Sequence, residues 1–285
     1  MGNGGSLEVM TRKKFFKIIF LIFLFIKIPF KLFSKTKKKG KFCMVFDDAG
    51  GLASSVENLK KLAKENLEIT VAIIAYSNHE EEIFDVLANY ENAEIILHQA
   101  MECVNMEKRN LANDLEKNPR KKGEKYVQEK HSAIYDFDST KLAISIIDNN
   151  IKHINNAFEK RGSYKKIIGL NNHMGSLVSK NKNIIRSISL YCYFYDLILF
   201  DSKSSDESII YEEAKKLNVK TCIRNYDFID GNTKEKLEIA EKMVQNGQNI
   251  ITIGHLNYRG TIRLYIEHAK KSKFLNKLSE FFNEE

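Results

Sequence analysis

The chain has 285 residues, 43% of them hydrophobic, and a formal net charge of +8. That is enough apolar material for one large domain or two small ones, and it excludes a disordered polymer. Residues 1–41 hold eleven Lys and Arg against one Glu, leaving 34 basic and 36 acidic residues in the remaining 244, so an extended phosphate backbone is excluded as the main partner and no nucleic acid is expected.

The basic N-terminus surrounds an apolar run at 15–33, FFKIIFLIFLFIKIPFKLF, whose uncharged centre is 18–26. That centre is short for a full span and has the length of a signal-peptide core, but no small-residue cleavage site follows. Residues 1–40 are therefore read as an uncleaved signal anchor and linker, with Lys17, Lys27 and Lys31 reaching the interfaces. An amphipathic helix lying on an anionic membrane is the rival reading. Residues 41–285 are read as the second, globular domain.

The globular part opens on Phe42 to Phe46, a buried-strand pattern that meets Asp47 and Asp48, then Ala49 and two glycines. Paired acids after a core strand fit either a turn or the mouth of a pocket. A helix follows, with Ser54 or Ser55 as its N-cap. A strand is predicted at 69–77, a helix opening near His79, and a strand ending at His98. Residues 107–130 are charged, carry Pro119 and Gly123, and read as a long surface loop. Alternation resumes with a long amphipathic helix from Ser139. The next strand ends at Asn171, Asn172 and His173, and later ones at Asp201, near Arg224 and at His255, each followed by a helical pattern. The last helix is predicted to run to the end of the chain.

Seven strand–helix units predict an α/β fold with parallel strands and outer helices, a distorted seven-stranded (β/α) barrel. An open doubly wound sheet is the alternative. No glycine-rich phosphate loop follows the first strand, so no nucleotide cofactor is expected. The four cysteines are widely spaced and form no metal ribbon or disulfide framework; Cys43 and Cys222 read as small core residues.

In parallel α/β folds the chemistry gathers at the strand C-terminal ends. Here those ends carry Asp47 and Asp48, His98, the Asn171–His173 run, Asp201, Arg224 and His255. One carboxylate and two imidazoles make a three-ligand metal site with an open position, assigned to Asp48, His98 and His173. Zinc is the expected ion. Asp47 is then the general base and His255 the acid. Histidines bonded to backbone carbonyls at strand ends would give the same pattern without a metal. Asn171, Asn172, Asp201, Arg224 and Glu102 are assigned to substrate binding. His79, His131, His153 and His268 are expected to be surface or internally satisfied histidines.

The stretches FDDAGG, VAIIAYSNHEEEI, ILHQAME, GLNNHMGS, LFDSKSS, FIDG and ITIGH occur here in one order. Together they resemble the divergent polysaccharide deacetylase family of bacteria, over residues 42–269. The resemblance implies a distorted seven-stranded barrel and a divalent metal held by one Asp and two His. It implies hydrolysis of N- or O-acetyl groups on an envelope or other carbohydrate, with Asp47 as base and His255 as acid. With the N-terminal anchor, a bacterial protein of this kind is expected at the membrane, its domain facing the periplasm or the cell exterior. His173 has Glu102 as its alternative ligand, because the wider superfamily sets its two metal histidines close together on one loop. Gln99, Ala100 and Cys103 depart from the family's usual residues beside its Met-Glu. That departure motivates a second hypothesis, a non-catalytic saccharide-binding envelope protein. A metallohydrolase of phosphate esters or peptide amides is the third, and the scarcity of basic residues at strand ends disfavours phosphate.

Overall fold

The computed structural model describes residues 39–104, 132–272 and 274–282. The candidate anchor and the charged segment 107–130 lie outside the described residues. The described residues fall in one compact unit, Lys39–Glu285.

Seven strands alternate with helices: β1 Phe42–Ala49, β2 Ile69–Ile73, β3 Ala93–Met101, β4 Ile167–Met174, β5 Ile198–Asp201, β6 Thr221–Ile223 and β7 Ile250–His255. The helices are α1 Ala53–Lys64, α2 Glu80–Ala88, α3 Thr140–Lys160, α4 Lys182–Phe194, α5 Ile210–Lys216, α6 Thr233–Gln245 and α7 Arg259–Ala269. All strand pairs are parallel, in the order β6-β5-β4-β3-β2-β1-β7. The edges β6 and β7 are not laddered to each other. Instead the ribbon after β6 crosses the gap, with the Asn225 N–H donating to Ile251 O at 3.1 Å and the Ile229 N–H to Ile253 O at 2.9 Å. The result is a nearly closed barrel with surrounding helices, as the sequence predicts.

Side-chain alternation sorts the strands into two apolar layers. Met44, Phe46, Val71, Leu97 and Leu199 pack outward under the helices. Cys43, Val45, Ala72, Ile96, Ile198, Phe200, Ile251 and Ile253 fill the barrel. All four cysteines are buried, and no disulfide joins them.

Two local expectations are corrected. Neither Ser54 nor Ser55 caps α1: its N-cap is Leu52, without a side-chain bond. The Ser55 hydroxyl instead accepts the Gly50 N–H at 3.2 Å and donates to Leu52 O at 2.6 Å, tying the Asp47–Gly51 turn to the helix. The final helix also stops at Ala269. The chain then passes under the barrel, where Leu278 is fully buried among the inner residues, with Phe281 and Phe282 packed beside it. The Leu278 N–H donates to Thr70 Oγ1 at 2.9 Å, and this short 3-10 turn, Leu278–Phe281, plugs the strand N-terminal end. Burial at the barrel mouth overrides the helical spacing of the tail.

Candidate metal centre and its cavity

Four inward rows of the barrel turn polar toward the strand C-terminal end. Asp47 follows Cys43 and Val45 in β1, His98 follows Ile96 in β3, and His255 follows Ile251 and Ile253 in β7. Ser202 follows Ile198 and Phe200 by the same two-residue step. Asp48 breaks the alternation: β1 shifts register between Phe46 and Ala49, and Asp48 sits at φ 65°. A non-glycine residue in the left-handed region is strained, and here the strain turns a second carboxylate toward the barrel mouth beside Asp47. Met174, the last residue of β4, and Gly175 are both left-handed (φ 56° and 82°), and a Cβ on Gly175 would lie 2.9 Å from that of Met101. The glycine in GLNNHMGS therefore permits the tight turn that follows His173.

Three donor atoms converge. His98 Nε2 lies 3.3 Å from Asp48 Oδ1, His173 Nδ1 lies 3.1 Å from the same oxygen, and the two nitrogens are 3.0 Å apart. A tetrahedral ion with bonds of about 2.0–2.1 Å spaces its ligand atoms about 3.3–3.4 Å apart. The triangle is within about 0.4 Å of that spacing on every side. Asp48 Oδ1 is also buried without a hydrogen-bond partner, as is His173 Nε2. Burial alone would raise the Asp48 carboxyl, but the adjacent His173 and His98 imidazoles outweigh it and hold Asp48 well below the usual range.

A hydrogen-bond chain fixes the first histidine. The Asn171 amide nitrogen donates to Asp47 Oδ1 and to Ser202 Oγ, each at 3.0 Å. Asn171 Oδ1 is therefore the acceptor 2.8 Å from His98 Nδ1, which must carry the proton. That leaves the His98 Nε2 lone pair aimed at the triangle, the arrangement expected of a metal-ligating histidine. Asp47 is buried, which raises its carboxyl above the ordinary value, offset in part by His98 and His255. A raised carboxylate is a better proton acceptor near neutral pH.

His255 stands across from these acids. Its Nδ1 lies 2.5 Å from Asp230 Oδ2, and Asp230 Oδ1 accepts from Thr261 Oγ1 at 2.7 Å. Burial works to lower the imidazole, but the Asp230 bond and the Asp48 and Asp47 charges outweigh it and push His255 up to about 9. Phe228 and Tyr258 flank its ring at 5.4 and 6.1 Å between centroids. Asp230 was not among the expected site residues. It lies on the crossing ribbon rather than at a strand end, and its one sequence signal is the FIDG stretch.

The groups open into a cavity of about 760 Å³, lined on one side by Ser176, Ser202, Ser204 and Ser205 and on the other by Phe228 and Tyr258. The residues assigned to substrate divide. Asn172 lines the cavity, though its amide is engaged with Ser202 N–H, Met174 O and Ser204 Oγ. Arg224 also lines it, held by Ser202 O, Tyr226 O and Lys203 O and stacked 4.0 Å over Phe228. Asn171 lies behind the cavity and orients His98. Asp201 faces away from the barrel, since the inward positions of its strand are Ile198, Phe200 and Ser202; its carboxylate accepts from Lys203 N–H, Ser208 Oγ and Tyr211 N–H near the start of α5. Glu102 does not line the cavity, and its Oε2 accepts the Asp136 N–H at 3.0 Å. Of the other histidines, His79 opens α2 and His153 bonds Glu80 while stacking on Tyr76. His268 lies 3.6 Å from Glu241, and His131 is outside the described residues.

Comparison with known proteins adds a family match. Residues 139–274 match the divergent polysaccharide deacetylase family. The resemblance in the sequence is borne out there, over the part of the chain that carries His173, Asp230 and His255. Asp47, Asp48 and His98 precede the matched stretch, and the barrel brings them to it. The crystal structure of an uncharacterized protein from Agrobacterium tumefaciens is similar with a TM-score of 0.60 at 15% identity, covering 81% of this chain and 82% of that one. A lactam utilization protein from Thermus thermophilus gives 0.53 at 12% identity, covering 82% and 96%. At these identities the likeness is one of fold. No curated protein matches the sequence.

Proposed function

We propose that the protein is a metal-dependent hydrolase that removes acetyl groups from a carbohydrate. The observation that carries this reading is the triangle of Asp48 Oδ1, His98 Nε2 and His173 Nδ1 beside one buried carboxylate and one Asp-paired histidine. A divalent ion held by the three supplies Lewis-acid polarisation of the acetyl carbonyl and makes water a better nucleophile at neutral pH. Asp47 takes the proton from the attacking water. His255, kept protonated by Asp230, gives its proton to the departing amine or alcohol. Asn171 holds Asp47 and His98 in register. The serine wall offers hydroxyls to sugar oxygens, while Phe228 and Tyr258 offer faces to the apolar side of a pyranose ring.

The saccharide-binding alternative drew on the unusual Gln99–Cys103 stretch. Gln99 points away from the cavity, bonding Asn150 and Ser132 O, so its side chain does not alter the metal triangle. Acetate release from acetylated chitooligosaccharides or peptidoglycan fragments separates the two readings. The hydrolase reading expects release that Asp47→Asn reduces about 10²–10⁴-fold with bound metal retained. Saccharide binding with no acetate release, in metal-loaded wild-type protein, selects the alternative.

A further inference from the structure

The opposite end of the barrel exposes a different surface. α4 ends in Tyr193 and Phe194 with Tyr195 as its C-cap, and these are 54%, 76% and 62% exposed; Tyr164, in the turn before β4, is 99% exposed. Isolated exposed aromatics are ordinary; three in succession with a fourth at the same end are not. Lys39, Lys160, Lys166, Lys215 and Lys271 are exposed at that end, and among the described residues none has a carboxylate within 4.0 Å. Phe194 and Tyr195 also border a groove of about 490 Å³ between α3 and α4, in which Lys152 is paired with Asp148.

We propose that this face docks on an anionic lipid bilayer. Tyrosine and phenylalanine side chains set among lysines fit the headgroup boundary, where the rings enter the interface and the ammonium groups meet lipid phosphates. The chain outside the described residues selects this occupant. The apolar, lysine-flanked run at 15–33 ends six residues before Lys39, a tether of at most about 20 Å. Lys39 enters at the strand N-terminal end, the same end as the aromatics. The cavity opens at the strand C-terminal end, roughly 25 Å away along an eight-residue strand. The docked barrel therefore presents its cavity away from the lipid, toward a polymer outside it. The proposal rests on the run at 15–33 being membrane-seeking, and its test separates the two.

The chain contains no tryptophan, so single replacements are clean reporters. Full-length Tyr164→Trp, Phe194→Trp and Tyr258→Trp proteins are bound to vesicles of phosphatidylglycerol carrying brominated acyl chains. Quenching several-fold stronger at 164 and 194 than at 258, reduced in phosphatidylcholine and by added salt, is expected. Co-sedimentation with equal, weak quenching at all three positions means that the anchor alone binds, and it overturns the docking face. A concentration-dependent blue shift at 194 without lipid assigns the face to a second copy of the chain and overturns it too. Absence of co-sedimentation rejects the anchor and the face together.

Discussion

The two ends of the barrel interior differ by one or two steps of the same side-chain alternation. At the strand N-terminal end the inward row is Cys43, Ala72, Ile96, Ile198 and Ile251, sealed by Leu278. Two or four residues further along the strands, the row becomes Asp47, His98, Ser202 and His255. The lower end is held by burial of apolar surface. The upper end buries carboxylates and imidazoles, which is tolerable because each is paired, hydrogen-bonded or placed to hold a cation. The dry end thus fixes the strand register on which the geometry of the polar end depends.

Removing the partner of His255 breaks the polar end most sharply while leaving the dry end intact. Asp230→Asn is expected to lower kcat/KM about 10²-fold and to move the alkaline limb of its pH profile down from about 9. A pH–rate profile of both proteins checks this; an unmoved limb removes His255 as the proton donor. Asn171→Ala should cost about 10–100-fold in metal affinity through loss of the bond to His98 Nδ1, measured by competition with a chelator. Leu278→Ala attacks the other end. It should destabilise by about 2–5 kcal/mol in denaturant unfolding, with metal stoichiometry unchanged in the folded fraction.

The smallest effect is a stability dependence on pH. His255 is raised from an ordinary value of about 6.5 to about 9 in the folded chain, so its pairing stabilises the protonated form. That contribution is complete below about pH 6.5 and is lost as pH rises through about 9. Melting temperatures of wild type and His255→Gln, followed from pH 6 to 10, should converge at the alkaline end. A gap that widens with rising pH contradicts the sign.

The strand ends were legible because their last residues are Asp, His and Asn after uncharged apolar runs. Which of them face inward follows from parity: in ILFDS the core positions are Ile198 and Phe200, which turns Asp201 outward. Glu102 looked like a ligand by proximity in sequence, but its carboxylate serves the backbone of Asp136. Asp230 carries no strand-end signal, because it belongs to the ribbon that crosses from β6 to β7, and no periodicity marks such a crossing. The C-terminal plug is hidden for a related reason. Leu278, Phe281 and Phe282 fit a helical spacing, and only the open end of the barrel explains why they leave it.

The central claim is that Asp48, His98 and His173 share one cation. Elemental analysis of purified full-length protein, after incubation with zinc and dialysis, tests it directly. About one ion per chain is expected in the wild type, falling roughly tenfold or more in Asp48→Ala and in His173→Ala, each shown to be folded by circular dichroism. Wild-type protein without metal, or an Asp48→Ala protein that retains it in full, contradicts the account.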